Sequence, residues 1–78
     1  RRALMLDATL NEEDVKILDI GLSGFGGTGA FERHDGTTWP IVDTLAELEF
    51  TDFRGRKIEM LVEVTYAEAE SGRFGGNF

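Results

Sequence analysis

Apolar and polar residues alternate most clearly between Ile58 and Tyr66, in the run "IEMLVEVTY". A period of two places successive side chains on opposite faces of the backbone, which is typical of a half-buried β-strand. This segment is therefore predicted to be the longest strand of the fold. Its core-facing residues are predicted to be Ile58, Met60, Val62 and Val64.

Similar alternation predicts three further strands, and two apolar fragments predict shorter ones. In the last fragment, Phe74 and Phe78 share one face and are interpreted as core residues, with Gly76 between them. The three alternating segments are Leu4–Leu10, Val15–Asp19 and Ala46–Phe50, and the two fragments are "TGAF" (28–31) and "GRFGGNF" (72–78).

Turn-forming residues separate the predicted strands in "NEED", "HDG", "DFRGR" and "AESG". A helix remains an alternative in "NEEDVKIL", where Asn11 is a candidate N-cap, and in "DTLAELEF", which begins at Asp43. Several short strands with turns between them favour an all-β sandwich or a small barrel, and a closed barrel leaves no exposed edge.

The composition narrows the class of protein. The 78 residues allow one domain, spanning 1–78, and the net charge of -7 argues against general nucleic-acid binding, which depends on Lys and Arg. No apolar run reaches the roughly 20 residues of a membrane-spanning helix, so no membrane insertion is expected. The absence of cysteine fits a reducing compartment, and we expect the bacterial cytoplasm. Because the chain begins at Arg1 without methionine, we expect a fragment of a longer protein, with attached domains.

The glycines in "GLSGFGGTGAF" spell G-x-G-x-x-G through Gly24, Gly26 and Gly29. A dinucleotide-binding loop of that spelling needs a following helix, whose N-terminus receives the pyrophosphate. The following "AFERHDGTTWP" is too short and too interrupted for such a helix. We therefore interpret these glycines as a turn between strands.

The residues that carry most enzyme chemistry are sparse, and no enzymatic activity is expected. His34 is interpreted as a surface residue in a polar turn, and Trp39 as a buried or half-buried core ring rather than a ligand-stacking one. The acidic clusters "NEED" and "EAES" lack calcium-loop spacing and are interpreted as solvated turns, with no metal site. Arg1 and Arg2 are either a solvated terminus or a phosphate-binding pair, since guanidinium groups bind phosphate bidentately.

The order of these features resembles the PilZ domain, a bacterial receptor module for cyclic di-GMP. That family carries Arg-x-x-x-Arg before a strand and Asp/Asn-x-Ser-x-x-Gly at the end of the next strand. Here "DIGLSG" supplies Asp19, Gly21 and Gly24, with Gly21 where serine is usual and Ser23 nearby. "IEMLVEVTY" followed by "GRFGGNF" is similar to the end of the family's fold.

The resemblance implies a small six-stranded antiparallel β-barrel of the split-barrel type that senses cyclic di-GMP without a cofactor. It implies that Arg1 or Arg2 binds phosphate, that Asp19 reads a guanine edge, and that Gly21, Ser23 and Gly24 complete the site. The positions four after the two arginines are Met5 and Leu6, so a complete Arg-x-x-x-Arg needs an upstream arginine. The alternative is a degenerate PilZ domain that binds no nucleotide and acts as a protein-interaction or structural module.

Overall fold

The computed structural model describes residues 2–78, with side chains from Met5 onward. The described residues form eight strands and no helix, which confirms the all-β prediction. The segments with helical alternatives both form strands, so those alternatives are wrong. The strands are β1 (Arg2–Leu10), β2 (Glu13–Ile20), β3 (Gly24–Thr28), β4 (Phe31–Glu32), β5 (Thr38–Trp39), β6 (Leu45–Thr51), β7 (Lys57–Ala67) and β8 (Arg73–Asn77).

Six strands close an antiparallel barrel in the order β1-β2-β3-β8-β7-β6, as predicted. The short strands β4 and β5 form a separate hairpin between β3 and β6. The described residues include no helical segment with the length and hydropathy of a bilayer-spanning element. Closure pairs the strands that would otherwise be sheet edges, and the apolar side chains fill the barrel interior.

The strand β7 is the longest, as its alternation predicts. Val62 and Val64 are fully buried, while Ile58 and Met60 are half-buried. The alternation does not continue to Tyr66, because a β-bulge between Val64 and Tyr66 shifts the pairing with β8. The extra residue reverses the inward and outward positions after it.

The core is one buried cluster drawn from all six barrel strands and from the β4–β5 hairpin. Phe25 and Phe74 are its largest fully buried side chains, and their rings meet edge to face at 6.1 Å. Trp39 is buried as predicted and stacks on Phe31. The buried apolar residues are Ala8, Leu10, Val15, Ile17, Phe25, Ala30, Trp39, Ala46, Leu48, Val62, Val64 and Phe74.

The interpretation of Phe78 as a core residue is wrong. Its side chain is 47% exposed and stacks on the ring of Phe25 at a centroid distance of 5.8 Å. The position lies one residue beyond β8, where the backbone N–H of Phe78 donates to the carbonyl of Ser23. Phe78 therefore covers the end of the barrel instead of filling it.

The predicted turns are present, and the first of them explains why no helix begins at Asn11. Asn11 and Glu12 adopt φ values of 49° and 71°, the left-handed pair that a tight two-residue hairpin requires. The Asn11 side chain accepts a hydrogen bond from the N–H of Glu47, whose carbonyl in turn accepts from the N–H of Asn11. The hairpin loop is thereby attached to β6.

Candidate functional site

Two neighbouring strands of the barrel carry the same short sequence, Phe-Gly-Gly. It occurs at 25–27 in β3 and at 74–76 in β8, and the two strands run antiparallel. Gly26 pairs with Gly75 at the centre, so that each phenylalanine lies opposite a glycine of the other strand. Both rings then occupy the interior while the Gly26–Gly75 pair adds no side chain to the outer face. We call this pair the glycine floor, and both glycines are buried beneath side chains of the neighbouring strands.

The interpretation of these glycines as a turn is wrong for Gly24 and Gly26, and the predicted strand at 28–31 is misplaced. Gly24, Gly26 and Gly27 lie within β3, and the chain leaves that strand at Gly29, which has a φ of 133°. A β-carbon at Gly27 would lie 2.5 Å from the Lys16 carbonyl oxygen. Glycine is therefore required here by close backbone packing inside a strand.

β-Bulges lie on both sides of the Phe-Gly-Gly strands. One shifts the β2–β3 register between Ile17 and Asp19, and the other shifts the β7–β8 register between Val64 and Tyr66. Ile17 and Val64 are buried, so strict alternation would direct Asp19 and Tyr66 into the barrel as well. The bulges instead place both residues on the outer face, in register with the glycine floor.

The side chains of Asp19 and Tyr66 lie against the two glycines. A β-carbon at Gly26 would be 3.1 Å from Asp19 Oδ2, and one at Gly75 would be 2.6 Å from Tyr66 Cε1. Tyr66 remains 43% exposed, so part of its ring is open to solvent. The carboxylate and the aromatic ring thus lie over the two buried glycines and form the outer face at this point.

The loop between β2 and β3 adjoins this face at one end of the barrel. The N–H of Gly21 donates to the Gly24 carbonyl at 2.8 Å, which closes a tight connection around Leu22 and Ser23. An open groove of about 440 Å³ lies between this loop and strands β7 and β8. Its lining is Gly21, Leu22, Ser23, Gly24, Phe25, Thr65, Tyr66, Gly76 and Asn77.

The structure brings most of the predicted site residues to this end of the barrel. Gly21, Ser23 and Gly24 line the groove, whereas Asp19 lies beside it on the glycine floor. Arg2 begins β1, where its backbone pairs with Ile20, next to the pairing of Ala3 with Asp19. Arg1 and the side chain of Arg2 lie outside the described part of the chain.

Sequence reasoning missed six residues of the groove, namely Leu22, Phe25, Thr65, Tyr66, Gly76 and Asn77. Thr65 is the extra residue of the β7 bulge, and its hydroxyl donates to the Gly75 carbonyl. The signal that could have indicated this region is the repeated Phe-Gly-Gly.

Other candidate groups lie far from the groove in the fold. His34 is exposed in the β4–β5 turn, as predicted. On β6 and β7, carboxylate oxygens of Glu47, Glu49 and Glu59 lie within 4.8 Å of one another. Lys57 Nζ is 3.2 Å from Glu49 and 3.6 Å from Glu59, and the hydrogen bond to Glu49 raises the pKa of Lys57. The lysine therefore offsets part of the repulsion in this cluster.

Comparison with protein-family models, curated proteins and solved structures finds no match to this chain. The PilZ resemblance therefore rests on the residues described above and on the order in which they occur.

Proposed function

We propose that this domain binds a guanine dinucleotide of the cyclic di-GMP type at the β2–β3 end of the barrel and acts as a sensor module. The observation that carries the proposal is the pair of bulges that places Asp19 and Tyr66 on either side of the glycine floor. A partly exposed aromatic face beside a carboxylate suits a planar base that carries N–H donors.

Asp19 is the base-reading residue in this proposal. Asp19 Oδ1 is buried in this structure, so the side chain must turn outward before both carboxylate oxygens accept from the ring N–H and amino group on the Watson–Crick edge of guanine. Adenine presents a different donor pattern on that edge and cannot donate in the same way. Asp19 therefore provides base selectivity, which contacts to phosphate do not provide.

The charge needed to hold phosphate comes from the N-terminal arginines. Arg2 is next to Asp19 in the β1–β2 ladder, and Arg1 directly precedes it in the sequence. The net charge of -7 opposes anion binding, so the affinity of these 78 residues is expected to be weak and strongly dependent on salt. Binding would order the arginine-bearing segment over the barrel end and reposition attached or partner domains.

The test is a set of paired calorimetric titrations with cyclic di-GMP and cyclic di-AMP at low salt. We expect Asp19→Ala to lower the preference for the guanine ligand by about 1 to 3 kcal/mol, the usual value of a good bidentate base contact. Arg2→Ala should weaken both ligands equally and reduce the salt dependence. Asp14→Ala, an exposed acidic residue on the same strand, is the matched control and should change neither quantity.

Equal weakening of both ligands by Asp19→Ala would show that this carboxylate does not read the base. Absence of binding to either ligand at low salt, in the wild-type chain and in a chain extended upstream to include an arginine, would favour the alternative function. That alternative is a protein-interaction module, which the exposed leucines of β6 and β7 favour.

A further inference from the structure

The outer face of β6 and β7 combines apolar and acidic side chains. The inward residues Ala46, Leu48, Val62 and Val64 are buried, so the residues between them face outward. We call these outward residues the leucine–glutamate face. It consists of Leu45, Glu47 and Glu49 on β6 and of Glu59, Leu61 and Glu63 on β7.

The leucines of this face depart from the polar outer surface expected of an antiparallel sheet. Leu45 is 68% exposed and Leu61 is 65% exposed. Leu45 pairs with Glu63 and Leu61 pairs with Glu47, so the leucines are diagonal neighbours on adjacent strands. At that spacing they can be covered together by one apolar side chain.

The charges around the leucines all have one sign except for Lys57. Glu49 and Glu59 are directly opposite each other, an arrangement that is unfavourable unless a cation intervenes, and Lys57 contacts both. Among the side chains that the structure describes, no ion pair involves Glu47 or Glu63, which directly flank the leucines. These two carboxylates are open to a partner's cations.

We infer that the leucine–glutamate face docks a basic protein segment in which apolar side chains alternate with lysine or arginine. The apolar side chains cover Leu45 and Leu61, and the cations meet Glu47 and Glu63. The negative charge of this face favours a basic partner over the other kinds of partner that could cover it. A second copy would bring glutamates against glutamates, and nucleic acid or an anionic membrane would be repelled.

This face lies on the opposite side of the closed barrel from β2 and β3. The proposed nucleotide site, however, also includes Thr65 and Tyr66 of β7, and Glu63 pairs with the groove residue Asn77, so the two surfaces adjoin along β7. The inference does not depend on nucleotide binding.

The test uses a short fluorescent peptide of alternating leucine and lysine, titrated by anisotropy into the wild-type chain. Peptides of alternating leucine and glutamine, and of alternating serine and lysine, test the apolar and the charged contribution separately. We expect saturable binding of the leucine–lysine peptide only, with amide shifts in NMR spectra confined to residues 45–51 and 57–63.

Two double variants locate the binding. Leu45→Ser with Leu61→Ser should weaken the peptide by about tenfold or more, since it removes most of the apolar contact. Glu47→Gln with Glu63→Gln should weaken peptide binding and reduce the salt dependence of the affinity. The controls are Leu22→Ser and the pair Glu32→Gln, Glu70→Gln, which make the same changes at exposed positions away from this face and should leave binding unchanged.

Three results would overturn the inference. The first is no saturable binding of the leucine–lysine peptide. The second is equal binding to the wild type and to the leucine variant, which indicates attraction by net charge alone. The third is a wild-type dimer in sedimentation experiments that the leucine variant dissociates, because the occupant of the face is then a second copy.

Discussion

Two strand pairs of this barrel differ in how they are held together: the β6–β7 pair, here called the regular pair, and the β3–β8 pair, here called the glycine-rich pair. In β6–β7 every position carries a side chain, and seven consecutive residue pairs run from Leu45–Glu63 to Thr51–Lys57 without a bulge. In β3–β8 the central outer pair is Gly26–Gly75, and the adjoining ladders on both sides contain bulges. In β6–β7, the alternation of apolar and polar residues determines which side chains face the core. In β3–β8, close packing of the backbone determines it.

Because their outer faces differ, the two strand pairs suit different kinds of ligand. The regular pair holds the barrel closed and presents long side chains, a surface that suits a macromolecular partner. The glycine-rich pair is covered by Asp19 and Tyr66, and the partly exposed ring of Tyr66 offers a surface on which a small planar ligand can stack. Bulges next to such a surface are a common means of directing a side chain towards a site.

The largest expected effect tests the regular pair. Val62→Asp should unfold the domain, because Val62 is 1% exposed and an unpaired buried carboxylate costs several kcal/mol, a large part of a small domain's stability. Leu61→Asp, one residue away on the outer face, should change the free energy of unfolding by only about 0.5 kcal/mol. Circular dichroism during urea unfolding measures both. A normally folded Val62→Asp variant would contradict the assigned faces of β7.

A smaller effect is expected in the glycine-rich pair. A β-carbon at Gly76 would lie 1.9 Å from the Glu63 carbonyl oxygen, which cannot move without disturbing the β7–β8 ladder. Gly76→Ala should therefore destabilise the fold by about 3 kcal/mol. Gly26→Ala is the matched control, since its β-carbon would lie 3.1 Å from Asp19 Oδ2, a side-chain contact that needs a much smaller shift, and it should cost less than about 1 kcal/mol. Equal costs would show that backbone approach does not govern this strand pair.

The sequence predicted the regular pair better than the glycine-rich pair for a physical reason. Alternation at 58–64 reports directly which side chains are buried, and Val62 and Val64 are buried as predicted. A bulge has no such local signal, because the extra residue is set by how the strands close into a barrel. The sequence pattern therefore put Asp19 in line with Ile17, whereas the structure places it on the outer face.

The glycines illustrate the same limit. Their low strand propensity indicated a turn, but packing against Lys16, Phe74 and Glu63 leaves no room for a side chain inside β3 and β8. The candidate site was predicted in part, since the Gly21–Gly24 loop and Asp19 lie at one end of the barrel. Tyr66 was missed because its position depends on the second bulge.

The smallest effect concerns the turn that joins the regular pair. The Asp52 carboxylate accepts hydrogen bonds from the N–H groups of Arg56 and Arg54 and from Arg56 Nε, and the backbone bond from Arg56 is the main cause of a lowered Asp52 pKa. Because the pKa of Asp52 is lower in the native state, its ionised carboxylate stabilises the fold at pH values above the unfolded-state pKa of about 4. This stabilisation is lost as the pH falls through the native pKa.

The melting temperature should therefore differ between the wild type and Asp52→Ala by a constant amount near neutral pH. The difference should shrink as the pH falls below about 4. Glu12→Ala, which changes an exposed acidic residue in another hairpin turn, serves as the control for general charge effects. A difference that persists unchanged at the lowest pH would argue against the ionised carboxylate as the stabilising species.

We propose that the glycine-rich side of the barrel binds the nucleotide, and NMR titration with cyclic di-GMP tests this proposal residue by residue. We expect saturable amide shifts at Asp19, Gly21, Ser23 and Tyr66, little change across the leucine–glutamate face, and a weaker response to cyclic di-AMP. Shifts confined to β6 and β7, identical responses to the two ligands, or no shifts at low salt in this chain and in one extended upstream by an arginine would contradict it.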